Sequence, residues 1–285
     1  MRLKIRHVTR YAYDPPALRL ALRLRLWPSR FEGQRPLDWR VTVDGEAVPI
    51  LFTDVHGESL GLWHAHDPRG AVEIVAEGEV ETEDAAGLVR GLGRERGLGV
   101  WRRATALTAP EPGLDALAGA AREAADGAGR LAELHALMQA VHARVEYRAG
   151  LTDAETPAAR ALALGAGVCQ DHTHVFLAAA RRLGAPARYV AGYLLASDDP
   201  EAAEGPAADP SETHAWAEAH VEGLGWVGFD PSSGVCTTDR HVRLCSGLDA
   251  RTAGPMRGSV GGGAAETLEA WVDIARVAPA AQAQQ

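Results

Sequence analysis

Gly165-Ala166-Gly167-Val168-Cys169-Gln170-Asp171 is the stretch on which the reading of the fold turns. Two glycines make a turn, and after Cys169 the residues Val175, Phe176, Ala179 and Leu183 fall on one helical face, closed by Gly184 and Pro186. The spacing therefore predicts a helix that begins at a cysteine. At such a start several backbone N–H groups lack intrahelical partners, and the positive end of the helix dipole favours thiolate, the nucleophilic form. A lone cysteine is more often a small apolar packing residue, so the case for chemistry depends on its partners downstream.

Working towards the C-terminus, Arg188 to Leu194 reads as a strand. A polar, proline-bearing loop from Ser197 to Glu212 follows, and two further strands, His214 to Val221 and Trp226 to Asp230, are joined by Glu222-Gly223-Leu224-Gly225. A cysteine nucleophile needs an imidazole as base or ion-pair partner, and the imidazole needs an orienting acceptor. His214 and Asp230 stand on the two arms of one hairpin. A symmetric hairpin puts His214 opposite Ser232, so either a bulge or a diagonal contact is required to bring Asp230 to it. Beyond them, Leu268, Ala270, Val272 and Ile274 alternate as a last strand, and the Ala/Gln-rich end, 279–285, reads as a disordered tail.

Towards the N-terminus, Leu131, Leu134, Leu137, Met138, Val141 and Val145 form an amphipathic stripe that predicts a core-facing helix, and Thr156-Pro157 predicts the N-cap and first position of a short helix to Leu164. Glycine- and arginine-rich residues 86–112 lack periodicity and read as a linker. Before them the pattern changes to a period of two. Leu18, Leu20, Leu22, Leu24 and Leu26 share a face, as do Leu3, Ile5, His7, Thr9, Tyr11 and Tyr13, while Leu37, Trp39, Val41 and Val43 run into the turn pair Asp44-Gly45. Residues 1–85 thus read as a β-sandwich with its own apolar faces, expected to fold alone.

Three blocks resemble the bacterial transglutaminase-like superfamily in order and spacing. They are the cysteine segment through Arg188-Tyr189-Val190-Ala191-Gly192-Tyr193, then Thr213-His214-Ala215-Trp216-Ala217-Glu218, then Gly225-Trp226-Val227-Gly228-Phe229-Asp230-Pro231-Ser232-Ser233-Gly234. The chain's start, from Ile5 to Asp14, is similar to the all-β N-terminal region preceding this domain in many members. The resemblance implies an α+β, papain-like core over 113–278, preceded by the sandwich. It also implies a catalytic triad of Cys169 as nucleophile, His214 as base and acid, and Asp230 orienting the imidazole. The activity implied is acyl transfer or amide hydrolysis through a thioester on Cys169, acting on a protein or peptide carboxamide or peptide bond, with water or an amine as acceptor. A non-catalytic interaction module of the same fold is the second reading.

One departure from the family pattern is His172-Thr173, with His174 following. Cys169, His172 and His174 invite a third reading, a metal-dependent hydrolase with zinc, but residues 172 and 174 point about 200° apart on a helix. No metal or other cofactor is therefore assigned, and His174 is expected in the core. Cys236 and Cys245 are expected to be packing residues.

Composition sets the remaining bounds. A net charge of −9 over 285 residues argues against a nucleic-acid binder. Three cysteines do not suggest a disulfide framework. No segment approaches the ~18 apolar residues of a membrane span, and the first residues lack the apolar run of a signal peptide. A cytoplasmic, reducing setting with three free thiols is the expectation.

Overall fold

The computed structural model describes residues 1–68, 70–93, 97–196, 213–263 and 265–277. The expected 197–212 loop and the 279–285 tail lie outside the described residues. The N-terminal part consists of β1 (Arg2–Asp14), β2 (Arg19–Leu24), β3 (Gln34–Val43), β4 (Glu46–Ala47), β5 (Phe52–Thr53), β6 (Ser59–His66) and β7 (Ala71–Thr82). The alternation read from the sequence sets their faces: Leu3, Ile5, His7 and Thr9 of β1 and Leu20, Leu22 and Leu24 of β2 are buried. Leu18 is exposed, because β2 begins one residue after it. Asp44 (φ 49°) and Gly45 (φ 82°) both take left-handed backbone, the pairing that a two-residue hairpin turn demands.

The segment expected to be a linker is packed. Its strand β8 (Leu88–Val89) joins the edge of the central sheet, and Val89, Leu92, Trp101 and Leu107 are buried. The many glycines there supply turns between anchoring apolar residues rather than a flexible tether. Helices α1 (Pro112–Ala124) and α2 (Arg130–Arg144) follow, then β9 (Glu146–Tyr147), α3 (Ala158–Leu164) and β10 (Ala166–Gly167). Leu134, Leu137, Met138 and Val141 face inward from α2 as their spacing requires, and the N-cap of α3 falls on Pro157, one residue later than expected.

Helix α4 (Cys169–Arg182) packs on the central sheet of β11 (Ala187–Leu194), β12 (His214–Val221), β13 (Gly225–Asp230), β14 (Val235–Cys236) and β15 (His241–Gly247), ordered β14-β13-β12-β11-β15. A helix cradled against an antiparallel sheet, with a separate all-β region, is the expected α+β arrangement. Helix α5 (Ala250–Ala253), β16 (Met256–Gly261) and β17 (Ala265–Arg276) end the described chain.

These last strands correct the expected domain limits. β17 pairs antiparallel with β1 from Leu3↔Arg276 to Asp14↔Ala265, and β16 pairs with β2 from Leu24↔Met256 to Arg19↔Gly261. The sandwich sheets are therefore β17-β1-β7-β3-β4 and β16-β2-β6-β5, built from both ends of the chain. Residues 113–278 are not one unit, and residues 1–85 do not complete their own sheets. Alternation identifies Leu268, Ala270, Val272 and Ile274 as a strand, but it carries no information on which strand lies beside it. All three cysteines are free thiols. No helix among the described residues is long and apolar enough to cross a membrane.

Candidate active site

The nucleophile segment is built from its turn. Gly165 (φ 64°) ends α3 in left-handed backbone. β10 then lies parallel to β9, Ala166 against Glu146 and Gly167 against Tyr147. Val168 is extended, and Cys169 is the first residue of α4. Asp171 folds back so that its Oδ2 accepts from the Val168 N–H at 2.8 Å and from the Thr152 hydroxyl at 2.6 Å. A Cβ on Gly167 would lie 2.6 Å from that carboxylate. Glycine at 167 is thus what lets Asp171 brace the turn presenting Cys169, whose own N–H, in the first helical turn, has no intrahelical partner.

The hairpin resolves the register question. β12 and β13 pair without interruption from Ala217↔Phe229 to Val221↔Gly225. Extended by symmetry, this register sets His214 opposite Ser232 and Asp230 one step diagonal to it. No bulge is needed: His214 Nε2 lies 2.8 Å from Asp230 Oδ2. The His214 side chain is also hydrogen-bonded to Cys169. With Nε2 engaged by the carboxylate, Nδ1 is the nitrogen left for the thiol. Burial opposes charge on His214, but its bonds to Asp230 and Cys169 outweigh that and push its pKa up to about 10.

Asp230 is fully buried. Burial alone would raise its pKa, yet donors from His214, His241 and Ser232 hold it well below the usual carboxylate range. The turn after the strand supplies part of this cradle. Ser232 gives its N–H at 3.1 Å and its hydroxyl at 2.6 Å to Oδ1, and the Ser233 hydroxyl reaches Oδ2 at 2.9 Å. Helix α2 fixes that turn from outside, the Gln139 amide donating to the Gly234 carbonyl at 2.6 Å.

Two side chains around this site were not read as site residues from the sequence. His241, on β15, places Nε2 3.4 Å from Asp230 Oδ2. Its strand carries only Val242 and Leu244 as an alternating apolar pair, too short to read. Trp216 covers both imidazoles, with ring centres 6.2 Å from His214 and 5.3 Å from His241. It fits because Gly192 on the neighbouring strand β11 has no side chain: a Cβ there would lie 2.4 Å from the indole.

Hydrogen bonding engages the ring nitrogens of the histidines in both candidate metal clusters. His214 Nε2, Asp230 Oδ2 and His241 Nε2 lie within 4.8 Å of one another. The Thr238 N–H, however, donates to His241 Nδ1 at 3.1 Å, which puts the ring proton on Nε2, where a metal would need the lone pair. The alternative set read from sequence does not converge either. Both nitrogens of His172 face backbone carbonyls, Val168 at 2.9 Å and Val145 at 2.7 Å. His174 Nε2 accepts from the Ala250 N–H at 3.1 Å, and burial lowers its pKa to about 4. His174 is a core residue, as expected. Burial also raises the thiol pKa of Cys236 and Cys245, which pack in or against the main hydrophobic core.

Comparison with known proteins identifies the family and the fold. Residues 3–81 match the bacterial transglutaminase-like N-terminal region and residues 118–231 the transglutaminase-like superfamily. An uncharacterized protein of Mycobacterium leprae is 27% identical, over 97% of this chain and 99% of its own. One of Mycobacterium tuberculosis is 30% identical over 131 residues, 45% of this chain and 41% of its own. A solved chain from Cytophaga hutchinsonii, provisionally described as a cysteine protease, superposes with a TM-score of 0.71 over 96% of this chain and 90% of its own, at 23% identity, a likeness of fold. With both regions matched in order along one chain, the protein belongs to the transglutaminase-like superfamily.

Proposed function

We propose that this chain is a cysteine-dependent amide or peptide hydrolase, or an acyl transferase, with Cys169 as nucleophile, His214 as proton carrier and Asp230 as the group orienting it. The observation that carries this reading is the single imidazole held between a helix-start thiol and a buried, ionised carboxylate. In the first step the Cys169 sulfur bonds to the substrate carbonyl carbon, the C–N bond breaks, and the leaving amine takes a proton from His214. In the second, water or an amine gives a proton back to His214 and attacks the thioester, freeing the sulfur. The Cys169 N–H, at the start of α4, suits a developing oxyanion. Asp230 keeps the ring tautomer correct and stabilises the imidazolium without itself being consumed.

Protein and peptide carboxamides are the substrate class offered, with an amine as the alternative acceptor. The test is a screen of amide and peptide substrates, with and without added amines, read by mass spectrometry of Cys169. An acyl adduct in the wild type and its absence in Cys169→Ala is the expected result. Turnover that survives Cys169→Ala overturns the reading. Free acid as the product indicates hydrolysis, and an amide formed with the added amine indicates transfer.

A further inference from the structure

We infer that His241 is a positioning residue of this site: a neutral imidazole that donates its Nε2–H to Asp230 and, from the far side of the carboxylate, helps hold the His214 imidazolium. The inference rests on the proposed role of Cys169, His214 and Asp230, and adds a fourth side chain to it.

The tautomer follows from the backbone. Thr238 and His241 flank a tight turn in which the His241 N–H bonds to the Thr238 carbonyl at 3.1 Å, and the Thr238 N–H points at His241 Nδ1, also at 3.1 Å. An amide N–H needs an acceptor, so Nδ1 carries the lone pair and Nε2 the proton. That proton faces Asp230 Oδ2 at 3.4 Å, the same oxygen that His214 Nε2 approaches at 2.8 Å. The ring cannot turn away easily. It is buried, and Trp216 packs edge-on against it at 5.3 Å.

The consequence concerns the carboxylate. Buried without donors, Asp230 would tend towards its neutral form, and a neutral acid does not hold an imidazolium. Oδ1 is served by the Ser232–Ser233 turn, but Oδ2 must stay ionised while one of its donors, His214, changes charge during each cycle. His241 and the Ser233 hydroxyl are the donors to Oδ2 that do not take part in the proton transfer. The titratable groups facing the His214–Asp230 pair are therefore Cys169 from α4 and His241 from β15. Removing His241 leaves the carboxylate less firmly ionised and oriented, so His214 holds its proton less tightly and is a weaker partner for Cys169.

The test needs no substrate. Histidine imidazole nitrogen NMR on the full chain should show His241 as the neutral Nε2–H form. The rate of Cys169 alkylation by iodoacetamide is measured across pH in wild type, His241→Leu and His241→Gln, with melting curves to confirm folding. His241→Leu should slow alkylation at neutral pH about tenfold, in the range of one hydrogen bond to a charged group, and lower the pH at which His214 titrates. His241→Gln restores a donor at the Nε2 position and should recover most of the wild-type rate. An Nδ1–H tautomer overturns the inference. So does a folded His241→Leu protein with the wild-type profile, or a His241→Gln protein as slow as His241→Leu, which would reduce the residue to packing. If wild-type Cys169 reacts no faster than an ordinary thiol, the proposed function itself falls, and the NMR arm still decides the tautomer.

Discussion

Strands β12 and β15 each contribute one side chain to the candidate site and one to a chain of fixed charge, and the two sets meet different fates. At one end, His214 and His241 share Asp230 beside Cys169. Further along the same strands, Glu218 and Arg243 join a chain of charges along the seam with the sandwich. Glu218 accepts from Arg188 at 2.6 Å and from Arg243 at 2.9 Å, Arg243 reaches Glu58 at 3.0 Å, and Glu58 also pairs with Arg25. Arg188 is further stacked on Trp226, its guanidinium 3.9 Å from the ring centre. Both sets are buried, but only one contains a group whose proton can move near neutral pH. Arginine keeps its proton, and Glu218 is held ionised: burial raises its pKa, and the attraction of Arg188 and Arg243 outweighs that. The seam is thus fixed charge that specifies how two regions dock, while the site is mobile charge poised for chemistry.

The comparison breaks most visibly if the two regions can be separated. A chain ending at Asp84 keeps the sandwich's first seven strands but loses β16, β17 and the Arg243 partner of Glu58. It should show no cooperative melt and little β-type circular dichroism. A cooperative transition from this fragment would mean that the seam is dispensable to the sandwich.

Next come one variant from each set, measured both ways. Asp230→Asn keeps the side-chain volume but replaces one acceptor oxygen with an NH2 group and removes the charge that supports His214. Acylation of Cys169 should fall on the order of 10²–10⁴-fold, with the urea midpoint little changed. Glu218→Ala should do the reverse. It removes the carboxylate that the buried Arg188 and Arg243 share, a loss of about 3–5 kcal/mol in urea unfolding, while the molecules that remain folded acylate at the wild-type rate. If Glu218→Ala instead slows acylation without destabilising, the division between the sets is wrong.

The same contrast has a pH signature. His214 has a folded pKa raised to about 10 from an ordinary 6.5. Its contribution to stability is therefore complete below 6.5 and declines as pH rises towards 10. His7 and His174, buried and neutral, have pKa values lowered to about 4 from 6.5. Theirs is complete above 6.5 and is lost as pH falls towards 4. Urea unfolding across pH should give a rising slope between 4 and 6.5 and, from His214, a falling contribution between 6.5 and 10. Asp230→Asn should flatten the second limb and leave the first.

The residues that carry the proposed chemistry were legible because each sits at a place that sequence marks. Cys169 follows a glycine turn and opens an apolar-faced helix, and His214 and Asp230 stand at the two open ends of one hairpin. Even the diagonal contact was one of the two options that hairpin arithmetic left. The partners of these elements were not legible. Period-two alternation found β17 but not its place beside β1. The packed 86–112 segment looked like a linker because its anchoring side chains are spaced irregularly. His241, Arg243 and Glu58 look like ordinary polar surface residues in sequence, since a buried charge is recognised only by the partner the fold brings to it. For the same reason, the alternation in residues 1–85 did not reveal that their sheets take β16 and β17 from the other end of the chain.

The smallest expected effect sharpens the comparison by repeating the chemistry in water. Arg182, on the outer face of α4, pairs with Asp115 of α1, and both side chains are about half exposed, 50% and 46%. Arg181, its neighbour, is buried and donates to the carbonyls of Ala187 and Leu248 and to the Thr108 hydroxyl. An exposed ion pair gains little because water already solvates both charges, holding two long side chains together costs entropy, and salt screens what remains. Arg182→Ala should therefore shift the urea unfolding free energy by no more than about 1 kcal/mol, and the shift should shrink further at high salt. Arg181→Ala removes a buried guanidinium together with the hydrogen bonds it donates and should cost clearly more, with little dependence on salt. Equal losses from the two would show that arginine's charge, rather than its burial and the acceptors it satisfies, sets its contribution in this fold, and the distinction drawn between seam and surface would fail with it.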